Sequence, residues 1–274
     1  MSESVKDYPA IKFRAGASRR ESDNLVVEEP LEIRLGGRRF TITMRTLGHD
    51  EELAAGFLLA EGFVTTRAEI DEFRRVRGSK GESEPNSLDI ILNVKSRALS
   101  ERLKRNFIVS SSCGVCGKTS IEALKRRIVR LEGDLRIAAA TILRLPPQMR
   151  DAQEIFSATG GLHAAALFSL PQSDAASLIA LREDVGRHNA VDKVIGYALL
   201  HDLIPLHHSV LMVSGRLSFE IVQKAAAAAI PILCAVSAPS SLAVDLAEDL
   251  GITLVGFLRE SGFNTYTRGE RILM

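Results

Sequence analysis

Three short apolar runs alternate with helical stretches in the second half of the chain. Ser209–Val213, Ile230–Val236 and Thr253–Leu258 read as strands. Phe219–Ala229 and Ser241–Leu250 lie between them, with apolar residues at helical spacing. Strands alternating with helices imply a parallel sheet with right-handed crossovers. Upstream, His163–Leu170 and Ser177–Glu183 flank Pro171–Asp174 as a hairpin, and Asn189–Leu200 reads as a helix. The expected order is a hairpin followed by βαβαβ, which places the chain in the α/β class.

The first half is less regular. Residues 1–24 read as a flexible N-terminal arm. Leu25–Ile33 and Arg39–Met44 are extended runs around Gly36-Gly37, a hairpin signal. Glu51–Glu61 is a helix stopped by Gly62, and Phe73–Arg77 and Leu88–Val94 are strands. Leu99–Phe107 is a short helix, and another runs from Lys118 to about Leu131. The organisation expected is an arm (1–24), a smaller α+β domain (25–132), a connecting segment (133–158) and a C-terminal domain (159–274). In the connector, Leu145-Pro146-Pro147 breaks the chain and Met149–Ser157 is helical.

Charge narrows the function. With 35 Lys and Arg against 34 Asp and Glu, the chain lacks the positive excess of a nucleic-acid or membrane-surface binder. Aromatic residues are only 5% and Trp is absent, so stacking platforms for single strands are scarce. No apolar run reaches the ~20 residues of a membrane helix. The polar Met1–Arg20 carries no apolar leader. A cytoplasmic protein is expected.

Three cysteines do not make a disulfide scaffold, nor a zinc site of four cysteines. Cys234 lies in an apolar strand and reads as a small core residue. Cys113 and Cys116 are different. They stand three positions apart among glycines, after Ser110-Ser111-Ser112 and before a helix. A helix N-terminus and the nearby Lys118 favour thiolate over thiol, and thiolate is the nucleophile. The plain alternative is a structural turn with buried thiols. Dithiol exchange and persulfide transfer both fit the pair, and spacing does not separate them. Zinc deamination fits poorly: Ser112 replaces the motif's proline, and Ala165 follows His163 where an acid is needed.

Ligands of open α/β sheets bind beyond the carboxyl ends of the strands. Ser214-Gly215-Arg216, Ser237-Ala238-Pro239-Ser240-Ser241 and Arg259-Glu260-Ser261-Gly262-Phe263-Asn264 occupy those places as loops. Arg216 and Arg259 are candidates to clamp phosphates of a nucleotide-bearing ligand. No Walker lysine motif and no Gly-x-Gly-x-x-Gly is present. Arg182 through Lys193 concentrates ionisable groups at a strand-to-helix turn, with His188 and Asp192 on one helix face. It reads equally as a polar site wall or as capping and salt bridges. His163 reads either as a site residue or as a satisfied core histidine.

Six spaced blocks resemble the FdhD family, the formate dehydrogenase accessory sulfurtransferases. They are Gly48-His49-Asp50-Glu51-Glu52-Leu53-Ala54-Ala55-Gly56-Phe57, Ser111-Ser112-Cys113-Gly114-Val115-Cys116-Gly117-Lys118, Thr159 to Ala165, Arg182 to Lys193, Val213 to Glu220, and Ser237 to Ala243. The resemblance implies a sulfur carrier that takes sulfur as a cysteine persulfide from a cysteine desulfurase. It passes that sulfur to the molybdenum (or tungsten) bis-molybdopterin guanine dinucleotide cofactor, carried as substrate, for formate dehydrogenase. It implies Cys113 and Cys116 as the sulfur-bearing pair and Phe257-Leu258-Arg259-Glu260-Ser261-Gly262 as a cofactor-binding stretch. Ser214, Gly215, Arg216 and His188 join that site. Glu260 stands where many members are glycine-rich or basic, so its side chain is expected to point away. The resemblance further implies a cytidine-deaminase-like C-terminal domain without a zinc site, a cytoplasmic location and a homodimer. A cofactor chaperone and a dithiol oxidoreductase are the competing functions.

Overall fold

The computed structural model describes residues 3–77, 83–93, 130–133, 135–170 and 176–274. Val5–Arg14 (β1) and Ala17–Val26 (β2) form a two-stranded antiparallel ribbon. This corrects the expected arm: residues 1–24 contain most of a hairpin. Its polar composition hid it, because the ribbon exposes most of both strands, including Ile11 and Phe13.

Glu28–Leu35 (β3) and Arg38–Thr46 (β4) are the hairpin read around Gly36-Gly37. Both glycines have positive φ, 57° and 80°, as a two-residue turn matched to strand twist demands. Ile70–Arg77 (β5) and Ser83–Leu92 (β6) complete a four-stranded sheet in the order β4-β3-β6-β5. Leu31, Ile33, Leu88 and Ile90 point into its core. Asp50–Ala60 (α1) connects β4 to this sheet's far edge, with three acids in its first turn against the positive helix end.

Ile137–Ala138 (β7) pairs in parallel with the C-terminal Ile272–Leu273 (β14). Ala139–Leu143 (α2), Leu145–Asp151 (α3) and Glu154–Thr159 (α4) follow. Two expectations fail here. The Pro146-Pro147 pair opens α3, where a missing N–H has no helical partner to lose. The helix expected over Met149–Ser157 is two helices, split at Ala152 and Gln153.

His163–Ser169 (β8), Ser177–Asp184 (β9), Ser209–Val213 (β10), Ile232–Ala235 (β11) and Thr253–Arg259 (β12) build the large sheet. Gly262–Thr267 (β13) closes it, giving the order β13-β12-β11-β10-β8-β9. β10, β11 and β12 run parallel as expected, while β8, β9 and β13 pair antiparallel. Arg187–Leu200 (α5), Phe219–Ala227 (α6) and Ser241–Leu250 (α7) are the interleaved helices. Arg259-Glu260-Ser261-Gly262 is not an open loop but a tight turn, because Arg259 pairs with Gly262 across the β12–β13 hairpin.

The large sheet is buried on both faces. Leu167, Leu211, Leu233 and Leu254 belong to the core shared with α5, α6 and α7. Ala166, Phe168, Val210, Met212 and Cys234 face the other way, onto Ile142, Leu145 and Met149. Much of the stretch read as a connector is thus a covering layer. The first core continues through α5 and α1 into Leu31, Ile33 and Leu88 of the smaller sheet. The described parts of residues 25–132 and 159–274 therefore share one apolar core. The helix expected over Leu99–Phe107, the Pro171–Asp174 turn and nearly all of the Lys118–Leu131 helix lie outside the described residues. Arg130 and Leu131 are not helical.

Candidate functional site at the strand ends

Backbone hydrogen bonds lock three segments together beyond the carboxyl ends of β10, β11 and β12. Leu217 N–H donates to Ala238 O at 3.2 Å, and Ser240 N–H donates to Leu217 O at 2.9 Å. Phe257 N–H donates to Ser237 O at 3.2 Å. The three segments thus form a ledge of fixed geometry. Ser240 caps α7 by accepting from Ala243 N–H at 3.3 Å. Ser214 faces inward: its hydroxyl accepts from Ala164 N–H at 2.9 Å, which anchors the β10 loop to β8.

Phe257 is the unusual residue of the ledge. Its φ is +53°, and its side chain is 46% exposed. A bulky residue in left-handed backbone is strained, and such strain concentrates where a ligand is held. Gly256 beside it has no room for a side chain: a Cβ would come within 3.0 Å of Pro239 and of the Tyr266 ring. The β12–β13 pairing shifts register between Gly256 and Arg259, which re-aims Phe257 away from the sheet. Leu258 is buried, whereas Arg259, Glu260 and Ser261 are exposed. Glu260 and Ser261 form the turn itself. Arg259 Nη1 donates to Val236 O at 2.5 Å and to Leu258 O at 2.8 Å, so its guanidinium is pinned along the ledge. Arg216 is exposed and makes no ion pair with the described residues.

Residues 182–193 divide into scaffold and site. Arg182 grips Glu52 of α1 through Nε at 2.5 Å and Nη2 at 2.8 Å. Burial alone would raise the Glu52 carboxyl, but Arg182 and His49 hold it down at about 2. Glu183 receives the N–H groups of Ile155 and Phe156 at the start of α4. Buried Asp184 pairs with buried Lys193 at 2.7 Å and accepts from Thr46 N–H at 3.1 Å. Asn189 donates to Met44 O at 2.7 Å. Asp192 is held by Lys224 at 2.7 Å, while burial pushes its carboxyl above the ordinary value. These side chains stitch β4 and α1 to the large sheet. They answer the open reading of this motif in favour of structure at six positions.

Arg187 and His188 are the exceptions. His188 Nε2 lies 3.0 Å from Glu220 Oε2 and 3.2 Å from Ser218 Oγ, at the start of α6. That hydrogen bond holds the Glu220 carboxyl below its ordinary value. The missing Cβ of Gly215 would sit 3.4 Å from His163 Nδ1 and 3.6 Å from Arg187 Cδ. Partial burial, then the Arg187 and His188 charges, keep His163 below its ordinary pKa. His163 is therefore a half-buried group beside the β10 loop rather than a core histidine.

The structure brings Ser214, Gly215 and His188 to one side of the β10 loop, and Phe257 to Gly262 to the β12 turn. Cys113, Cys116 and Lys118 lie outside the described residues. Cys234 is fully buried in β11, and burial pushes its thiol up, as suits a core residue. No group of three or more His, Cys, Asp or Glu among the described residues is placed to hold a metal. No described helix is long and apolar enough to cross a membrane. Sequence reasoning missed the strain at Phe257, because positive φ at a non-glycine residue has no compositional mark. It also missed the close approach at Gly56, where a Cβ would lie 1.9 Å from Asp192 O, although an isolated glycine inside a helical pattern is a packing signal.

Comparison with known proteins supplies the remaining finding. A family model described as the FdhD/NarQ family matches residues 26–273. A sulfur carrier protein FdhD of Mycolicibacterium paratuberculosis is 52% identical over 262 residues, covering 94% of this chain and 95% of that protein. One from Streptomyces coelicolor is 46% identical over 269 residues, covering 96% of this chain and 94% of that protein. An archaeal relative of the same name, from Saccharolobus solfataricus, is 42% identical over 271 residues, covering 98% of each. A crystal structure assigned as a formate dehydrogenase accessory protein of Desulfotalea psychrophila superposes with a TM-score of 0.74 at 25% identity. It covers 98% of this chain and 99% of that one.

Proposed function

The chain belongs to the FdhD/NarQ family, and from that premise we propose that it carries sulfur from a cysteine desulfurase to the molybdenum cofactor used by formate dehydrogenase. The observation that carries the reading is its likeness, along more than nine-tenths of its length, to proteins named sulfur carriers. In this reading a thiolate of the Cys113/Cys116 pair attacks the outer sulfur of the desulfurase persulfide. The S–S bond of the donor breaks, the desulfurase leaves as thiolate, and the transferred sulfur remains as a persulfide on this chain. Two thiols serve this chemistry because the second can resolve or relay what the first receives.

The substrate of the second step is the bis-molybdopterin guanine dinucleotide form of the metal cofactor. We assign its nucleotide arm to the strand-end ledge. Support comes from the fixed register of the three segments and from the strained, exposed Phe257, which offers an aromatic face to a base. Exposed Arg216 and pinned Arg259 supply positive charge at the same strand ends. His188 with Glu220, and the Ser214-Gly215 backbone, form the wall beside it. Residues 159–274 are read as a cytidine-deaminase-like domain, supported by a hairpin followed by βαβαβ. A homodimeric, cytoplasmic protein that meets formate dehydrogenase when the sulfurated cofactor is handed over completes the proposal.

The test is activation of formate dehydrogenase in cells lacking the native protein. Cys113→Ala is expected to abolish activation, and the wild-type peptide bearing Cys113 and Cys116 to gain one reducible sulfur on incubation with desulfurase and cysteine. Full activation by a Cys113→Ser/Cys116→Ser double variant would leave a cofactor chaperone as the function.

A further inference from the structure

Two surfaces away from the strand-end ledge combine exposed apolar side chains with unanswered charge. The first is the β1–β2 ribbon. Its strands pair with Pro9 opposite Ser22, Ile11 opposite Arg20 and Phe13 opposite Ser18. Alternation of side chains along a strand puts Asp7, Pro9, Ile11, Phe13 and Arg20 on one face. Ile11 on that face is 54% exposed and Phe13 80%. The opposite face answers its own charges: Lys12 pairs with Asp23 at 2.8 Å, and Lys6 Nζ lies over the Tyr8 ring. The ribbon packs on the body along α4 and is rooted by Val27 N–H, which donates to Ser4 O at 2.9 Å. A two-stranded ribbon is marginal in water by itself, and contiguous bare apolar side chains mark a surface that another molecule covers.

The second surface is the outer face of the four-stranded sheet. β4 is an edge strand there, and it exposes Ile42 at 43% and Met44 at 48%. Exposed Pro30 of β3 lies opposite Met44, and Glu28 stands at the end of the same face. Arg39 stands at the other end, by the Gly36-Gly37 turn, where it pairs with Glu32. Glu28 is exposed and makes no ion pair among the described residues, and the same holds for Asp7 and Arg20 of the ribbon. The two faces complement each other in order. The ribbon face carries Asp7 near its root, then apolar side chains, with Arg20 toward its tip. The sheet face runs from Arg39 through Ile42 and Met44 to Glu28.

We propose that the β1–β2 ribbon is an arm that docks on a second copy of this chain, its Ile11 and Phe13 covering Ile42 and Met44 of the other copy's four-stranded sheet. The inference rests on the reading that the protein is a homodimer, and it names the surfaces that meet. Charge sets the orientation: Arg20 lies toward Glu28 of the second copy, and Asp7 toward its Arg39. One ribbon face is too narrow for a stable interface, which takes roughly 800 Å² from each partner. Reciprocal seating about a two-fold axis makes the contact twice and uses two surfaces of each copy.

Sedimentation velocity of the full chain over a concentration series tests this. The wild type is expected to be a dimer. Ile11→Ser with Phe13→Ser is expected to raise its dissociation constant at least a hundredfold, the scale of two buried apolar side chains returned to water. Ile42→Ser with Met44→Ser, on the receiving sheet, is expected to do the same. All four side chains are exposed in the single chain, so unchanged circular dichroism separates lost docking from misfolding. Arg20→Glu is expected to weaken the dimer about tenfold, and Glu28→Arg added to it to restore part of the loss. A wild-type dimer left intact by Ile11→Ser with Phe13→Ser overturns the ribbon contact and leaves the homodimer standing. A dimer lost through the ribbon variant but kept by Ile42→Ser with Met44→Ser overturns the pairing of these two surfaces. A monomeric wild type overturns both the contact and the homodimer.

Discussion

Phe257 holds a left-handed backbone conformation, φ +53°, that costs a bulky residue of order 1–3 kcal/mol. A position that stores strain while exposing an aromatic ring is organised for something other than stability. Phe257→Gly is therefore expected to leave the melting temperature unchanged or higher, because glycine adopts this φ freely. The same variant is expected to lose activation of formate dehydrogenase. Unimpaired activation would detach Phe257 from the site. Residue identity alone did reveal the buried Cys234 and the basic strand-end positions. It could not reveal that Arg259 is pinned while Arg187 keeps a buried Nε without a hydrogen bond, since both are arginines beside turns. Only the positions of neighbouring carbonyls and carboxylates distinguish them.

At the scale of elements, α1 and α5 cross at backbone contact. A Cβ on Gly56 would lie 1.9 Å from Asp192 O, and one on Gly196 would lie 1.7 Å from Glu52 O. No side chain can relax away from a carbonyl of a neighbouring helix, so the helices themselves must part. Gly196→Ala is expected to cost about 3 kcal/mol or more, at or beyond the usual upper range for overpacking a core. Urea denaturation reads the loss directly, and a change below about 1 kcal/mol would refute so close a crossing. The elements of the parallel sheet were legible because apolar runs bounded by helices have few alternatives. The β1–β2 ribbon and β13 were not, because solvated strands lack the apolar alternation that marks a half-buried one.

At the scale of the whole molecule, the two sheets are joined by α1 and α5, and an ion pair ties α1 to the large sheet. Arg182 on β9 holds Glu52 on α1, whose carboxyl is lowered from 4.5 to about 2. A depressed carboxylate stabilises the fold fully above its ordinary pKa. Its contribution then fades as pH falls from about 4.5 through about 2. Asp50, gripped by Arg45 and Arg75, is shifted in the same direction. Glu52→Gln is expected to lower stability at neutral pH by up to about 3 kcal/mol and to flatten the acid limb of the unfolding midpoint against pH. An acid limb as steep as the wild type's would show that the pair does not hold α1 to the large sheet.

The sequence by itself determined the α/β order of the second half, the Gly36-Gly37 hairpin and the family. Each is carried by local pattern or by residue types at fixed spacing, which survive without coordinates. Tertiary structure alone decided that residues 137–149 cover a sheet face and that one core spans both halves. It also decided that most of the charged motif at 182–193 is internal bracing. Those outcomes depend on which partners distant segments bring within hydrogen-bond range, as with Thr46 and Asp184, 138 positions apart in the chain.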